Sequence, residues 1–215
     1  MATLTPSILS RDPEDILEKI KIVENVPELS EAQIDFADGQ FVPNMTVLPS
    51  ALPKISTRLR LEAHLMVWNP EKYFHALEAL GFSTVYIHYE SFHSRQILQN
   101  ALGNAKHMGF RVGLAINPQT DISVLDGFID EVDEVMLMGV NPGYQGQKFI
   151  PETLDRLQSL RKKHDRVIIE VDGGVKADNI ASIVAHGANK PNVGSGIWQT
   201  PDPKQTIREL LKKIK

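Results

Sequence analysis

Apolar positions along this chain fall into two alternating patterns. Short runs, filled or alternating with apolar residues, predict strands at 4–9, 32–36, 61–67, 84–90, 111–116, 134–140, 167–172 and 191–196. Between them lie longer stretches with helical spacing, at 12–26, 69–81, 94–109, 151–164, 177–187 and 202–215. The first of these opens with Asp12 as N-cap and Pro13 at the first helical position. The second repeats the arrangement with Asn69 and Pro70, and closes on Gly81. The segment 48–56 carries Pro49 and Pro53 and has room for only a short helix. Eight strands alternating with about eight helices, without a long linker, predict a single (β/α)8 TIM barrel spanning 1–215. An open doubly wound sheet is the alternative, but no glycine-rich dinucleotide fingerprint follows the first strand.

Composition narrows the function classes. Of 215 residues 42% are hydrophobic, enough for a full core, and the net charge of −4 argues against a nucleic-acid surface. There is no cysteine, hence no disulfide framework, thiolate ligand or thiol nucleophile. The opening residues lack a basic segment followed by a long apolar run, and no apolar run reaches transmembrane length. The expectation is a soluble, cytoplasmic protein with neither nucleic acid nor membrane as partner.

In a barrel the active site lies where the strands end. The polar residues there are Ser7, Gln33, Asp35, Asp38, His64, His88, Glu90, Asn117, Asn141 and Asp172. Asp35, His64 and Asp172 interrupt otherwise apolar runs, and burying such groups costs several kcal/mol unless they are paired or metal-bound. Each alone reads equally well as a loop cap. Their joint occurrence at three strand ends favours a site, and two carboxylates with one imidazole can bind a metal. His75, His93, His107, His164 and His186 fall in helix-like stretches and read as surface residues. Glycine-rich turns follow the sixth, seventh and eighth strands: "NPGYQGQKF", "DGGV" and "VGSG". Glycine brings backbone N–H groups close to an anion, and barrels often hold phosphate at the last loops. Three such turns in succession predict a backbone phosphate cradle.

These motifs resemble the ribulose-phosphate 3-epimerase family, in order, over nearly the whole chain: "PSILS", "IDFADGQFVPNMT", "HLMV", "IHYE", "VNPGYQGQKFI", "IEVDGGV" and "NVGSGI". The resemblance implies a ribulose-phosphate-binding barrel that inverts carbon 3 of D-ribulose 5-phosphate or D-xylulose 5-phosphate. Asp35 and Asp172 would be the acid–base pair on opposite faces of the substrate, and together with His64 they would hold a divalent metal ion. Ser7 and His64 would contact the phosphorylated ketose. The segments Gly143, Tyr144, Gln145, Gly146, then Gly173 and Gly174, then Gly194 and Ser195 would hold its phosphate. Self-association is a further family trait that the resemblance implies.

The departures from the family pattern gather at the site. Gln33 stands where the family carries a second metal-ligand histidine, Ala37 where it carries methionine, and Gln145 where its phosphate loop carries glycine. Met66 and Met138 match family methionines. A glutamine carbonyl is a harder and weaker ligand than imidazole, so Gln33 as a fourth ligand favours Mg²⁺ or Mn²⁺ over Zn²⁺ and implies a metal held weakly, or absent. Two alternatives stay open. One is an epimerase for another ketose phosphate, such as a six-carbon one, and the other is a sugar-phosphate-binding barrel without metal or turnover.

Overall fold

The eight strands hydrogen-bond in sequence order, all parallel, and the last pairs with the first, so the sheet closes into a barrel. The structure, a computed structural model, describes residues 2–215. The strands are β1 (Thr5–Ile8), β2 (Glu31–Ala37), β3 (Arg60–Met66), β4 (Phe82–His88), β5 (Arg111–Ile116), β6 (Glu134–Met138), β7 (Ile168–Asp172) and β8 (Lys190–Val193). The helices are α1 (Pro13–Glu24), α2 (Phe74–Ala79), α3 (Arg95–His107), α4 (Thr153–Lys163), α5 (Ile180–Ala185), α6 (Ser195–Trp198) and α7 (Pro203–Lys213). Asp12 caps α1, its carboxylate accepting from the Glu14 N–H at 2.9 Å, with Pro13 at N1 as the sequence predicts. Helix α1 buries Ile16, Ile20 and Val23 against the barrel wall, each such side chain contributing about 1.5–3 kcal/mol.

The β2→β3 connection carries only a 3-10 turn, at Pro49–Ala51, the short helix that its prolines allow, and β5→β6, where no helical stretch is predicted, carries 3-10 turns at Ile122–Gly127 and Ile129–Glu131. Two local expectations are corrected. Asn69 is no N-cap: it takes a left-handed conformation (φ 50°) without a side-chain cap bond, and a 3-10 turn at Pro70–Tyr73 precedes α2. The eighth strand stops at Val193, and Ser195 opens the extra helix α6.

Alternate residues of each strand point into the barrel. At the floor, where the strands begin, the filling is ionic. The Lys190 ammonium lies 2.5 Å from Glu62, 3.1 Å from Glu134, 3.2 Å from Glu170 and 3.5 Å from Glu31. The Tyr86 hydroxyl touches Glu134 and Glu170. From the rim, Arg60 reaches Glu31 at 2.9 Å and Arg111 reaches Glu134 at 3.0 Å. Three cations thus face four carboxylates, and the surplus negative charge favours a proton on one of them. Burial pushes Glu170 up to about 7 against the pull of Lys190, and raises Glu62 well above the usual carboxylate range for the same reason.

Candidate active site

The site sits above this floor, at the C-terminal ends of the strands. Parallel pairing aligns Ser7 with Gln33, Asp35 with His64, and Met138 with Asp172. Because Gln33 and Asp35 are two apart on β2, both point inward. Gln33 is fully buried beneath Asp35. Its Nε2 donates both protons, one to Asp35 Oδ1 at 2.9 Å and one to Asp172 Oδ2 at 3.2 Å. Its carbonyl Oε1 is buried without a partner. The same two carboxylates converge on His64, whose Nδ1 lies 3.2 Å from Asp35 Oδ1 and 3.2 Å from Asp172 Oδ2. One amide and one imidazole therefore hold together two carboxylates that would otherwise repel.

The electrostatics follow from that contact. Burial raises the Asp35 carboxyl; the hydrogen bond from His64 opposes the rise and the Asp172 charge adds to it. Burial alone would lower His64, but hydrogen bonds to Asp172 and Asp35 outweigh it and push the ring up to about 10. At neutral pH the ring thus carries its second proton and donates it to the carboxylate pair. One ligand atom from each of Asp35, His64 and Asp172 lies within 4.8 Å of the others, a spacing that a single metal ion could bridge.

A cleft opens above these groups. It is lined by Ser7, Asp35, His64 and Asp172, and by Gly143, Tyr144, Gln145, Gly146, Gly173, Gly174, Gly194 and Ser195. The residues singled out in the sequence are thus brought to one cavity, with Gln33 beneath it rather than in its wall. Gly173 and Gly174 have φ of 103° and 70°, and a Cβ on either would strike Val140 or Phe149 at 2.4–2.6 Å, so the loop after β7 admits no side chain there. A Cβ on Gly194 would meet Ser7 Oγ at 3.0 Å and Gln145 Nε2 at 3.1 Å. That Nε2 is a buried donor without a partner. Ala37 is fully buried and packs with Val42 and Met66.

Other strand-end residues do different work. Asp38 caps its own loop, accepting from the N–H groups of Gln40, Phe41 and Trp68, each at 2.9 Å. Asn141 accepts from Gln119 at 2.7 Å, outside the cleft, and the Asn117 N–H binds Glu90. His88 stands behind His64. Among the histidines read as surface residues, His75, His93 and His107 are exposed, whereas His164 and His186 are half-buried. Two contributors escaped the sequence reading. Asn44 donates to the Gly143 carbonyl at 2.6 Å, joining the loop after β2 to the loop after β6. Gln147 braces the latter loop from within, donating to Asn141 and Tyr144 carbonyls at 2.7 and 2.9 Å. A polar residue inside each loop motif was the only signal for either.

A closed parallel barrel with paired carboxylates and an imidazole at its C-terminal mouth defines a TIM-barrel enzyme. Comparison with known proteins makes this particular. The ribulose-phosphate 3 epimerase family profile matches residues 3–198. The chain is 37% identical to the ribulose-phosphate 3-epimerase of Aquifex aeolicus, over 98% of this chain and 96% of that one. It is 35% identical to the enzyme of the same name from Escherichia coli, over 98% and 95% of the two chains. The chain belongs to the ribulose-phosphate 3-epimerase family. A crystal structure of 3-hexulose-6-phosphate synthase superposes over 99% of this chain and 100% of its own with a TM-score of 0.72, but at 18% identity it shares the fold alone. Among the described residues no helix is long and apolar enough to cross a membrane.

Proposed function

We propose that this protein interconverts D-ribulose 5-phosphate and D-xylulose 5-phosphate by moving a proton across carbon 3, with Asp35 and Asp172 as the acid–base pair. The observation that carries this reading is the meeting of the two carboxylates, one from β2 and one from β7, over the same Gln33 amide and the same His64 ring. Carbon 3 lies beside the ketone, so its proton is acidic enough to be removed by a positioned carboxylate, leaving an enediolate. Inversion requires the proton to return from the other face, which calls for a second positioned group. Asp35, raised by burial, is suited to hold a proton while Asp172 takes one, and the roles exchange in the reverse direction.

His64 holds the two carboxylates together through Nδ1, and the apolar walls of Met66, Met138 and Val140 exclude water from the anion. The donor set fits a divalent cation: two carboxylates and one imidazole nitrogen converge, and beneath them lies the Gln33 amide, whose partnerless carbonyl reaches the cation once the amide turns over. Asp35, His64 and Asp172 would hold it, with Gln33 a weak fourth, a set suited to Mg²⁺ or Mn²⁺. When bound, the cation supplies electrostatic stabilisation of the enediolate oxygens. The phosphate is held at the far end of the cleft by N–H groups of the loops after β6, β7 and β8 and by Ser7, joined by the free Gln145 amide. The well-packed Ala37 opens no extra room, which supports a five-carbon over a six-carbon ketose.

The test is turnover of D-ribulose 5-phosphate in D2O by the parent and by Asp35→Asn and Asp172→Asn. The parent should form D-xylulose 5-phosphate carrying deuterium at carbon 3. Each variant should lose turnover by about 10²–10⁴-fold, the contribution of one positioned proton-transfer group, while remaining folded. Near-parental turnover in either variant refutes the two-base assignment, and turnover of hexulose phosphates alone refutes the substrate.

A further inference from the structure

His88 and Glu90 lie outside the cleft wall, yet they complete a line of hydrogen bonds that begins within it. His64 turns Nδ1 to the two carboxylates, which leaves Nε2 pointing away from the cleft. That nitrogen meets His88 Nε2 at 2.8 Å. The ring centroids are 5.0 Å apart and the planes differ by 24°, the relation of rings that meet edge to edge in nearly one plane, as an N–H···N bond requires. Two ring nitrogens at this distance share a single proton, so one ring donates and the other accepts.

Glu90 decides which. Its Oε1 accepts from the Asn117 backbone N–H at 2.8 Å and from the Thr120 hydroxyl, and its Oε2 faces His88 Nδ1 at 3.4 Å. Burial raises its carboxyl, but the bonds from His88, Thr120 and the Asn117 N–H outweigh it and hold it below the usual carboxylate range, so Glu90 is ionised and accepts at both ends. His88 Nδ1 then donates, which leaves His88 Nε2 with a lone pair. His64 Nε2 must therefore carry the shared proton. His88 is fully buried, with the Phe41 ring 4.9 Å away, and both of its ring nitrogens are taken up in this line.

We propose that His88 and Glu90 are positioning residues: they fix the proton of His64 on Nε2 and present its Nδ1 to the cleft as the atom that ligates the cation. The ligand role rests on the metal reading of the site given above; the direction of the hydrogen bonds does not. A histidine that binds a metal commonly has its other nitrogen fixed by an acceptor, and loss of such an acceptor weakens binding about 10–100-fold. Here the acceptor is a second imidazole oriented in turn by a carboxylate.

Glu90→Gln reverses the line. Its amide oxygen stays on the Asn117 N–H, so its NH2 group faces His88 Nδ1, which must then accept. His88 now donates from Nε2, so a His64 ring that gives Nδ1 to the cation, and must keep its proton on Nε2, meets a second donor there. In the parent, ¹⁵N spectra of the histidine side chains should show His88 protonated at Nδ1, and in Glu90→Gln at Nε2. Mn²⁺ affinity, measured by titration, should fall about 10–100-fold in Glu90→Gln and in His88→Leu. In His88→Gln, whose carbonyl can accept from His64, it should stay close to the parent. A purely structural pair would show no such rescue. The proposal is overturned if His88 in the parent carries its proton on Nε2, or if Glu90→Gln and His88→Leu bind Mn²⁺ as the parent does. If the parent takes up no Mn²⁺, the metal reading fails and the ¹⁵N assignment still decides the direction of the line. Should Glu90→Gln not fold, the parent spectrum and the two His88 variants decide between these outcomes.

Discussion

Gln33→His restores the side chain that the family resemblance places beside Asp35, and its effect can be worked out from the bonds Gln33 now makes. The amide Nε2 is spent on Asp35 and Asp172, at 2.9 and 3.2 Å. For Oε1 to serve a cation the amide must turn over and give up both bonds. Hydrogen bonds to charged groups contribute about 1.5–3 kcal/mol each, so at the lower end the turn costs about 3 kcal/mol. At about 1.4 kcal/mol per factor of ten, that opposes metal binding about a hundredfold. A histidine removes this competition and supplies a stronger ligand. Mn²⁺ affinity should rise by up to about a hundredfold, with turnover at least equal to the parent. Metal-free Gln33→His loses both bonds and should melt below the metal-free parent, while saturating Mn²⁺ should reverse the order, since a tighter ligand adds more stability. Gln33→Ala serves as the control, removing the competing amide without adding a ligand. The assays are calorimetric titration and thermal melting, with and without metal. If Gln33→His changes neither metal affinity nor rate, Gln33 does not occupy a ligand position and the metal assignment falls.

Lys190→Met removes the central cation from four glutamates, and breaking a buried pair of this kind costs about 3–5 kcal/mol. At about 2–4 °C per kcal/mol for a chain of this size, the melting point should drop by about 6–20 °C, and a variant that melts with the parent would refute the network's role. Glu170, held near 7 in the fold, binds its proton more tightly than in the unfolded chain. Its contribution to stability is therefore complete below the ordinary glutamate range and lost as pH rises through about 7; in Lys190→Met the loss should extend to higher pH, and an unchanged pH–stability profile would contradict it. Gln145→Gly should weaken inhibition by inorganic phosphate and raise KM with little change in kcat, because it deletes a donor to the non-reacting end of the substrate; an unchanged KM would place that amide outside the phosphate site. Lys148→Ala and Lys176→Ala, both at exposed positions, should each raise KM only modestly, and complete loss of binding in either would show that side chains rather than backbone carry the phosphate charge.

The barrel and the centre of its site were legible because their signals are local. Asp35, His64 and Asp172 each break an apolar strand, and the glycines of the last three turns stand in short runs. What stayed hidden was set by distance along the chain. Gln33 could be placed beside Asp35 from strand geometry, but its bond to Asp172 spans 139 positions. The ionic floor was invisible because Glu31, Glu134 and Lys190 open their strands, where a charge looks like a solvent-facing edge. Asn69 before Pro70 carries the same local signature as Asp12 before Pro13, and only packing distinguishes a left-handed turn from a cap. The 3-10 connections carry no periodic pattern to read.

Lys190 belongs to β8, the last strand of the sheet, whereas its carboxylate partners arrive with β2, β3, β6 and β7. A chain emerging from the ribosome therefore presents its acidic interior long before the one lysine that neutralises it from within. Until β8 is made, the gap between β7 and β1 also leaves both flanking strands without a neighbour on that side. Charge and hydrogen bonding are completed by the same short strand. Closure of the barrel, and with it assembly of the mouth that joins β2 to β7, therefore waits on β8 rather than on collapse of the earlier strands.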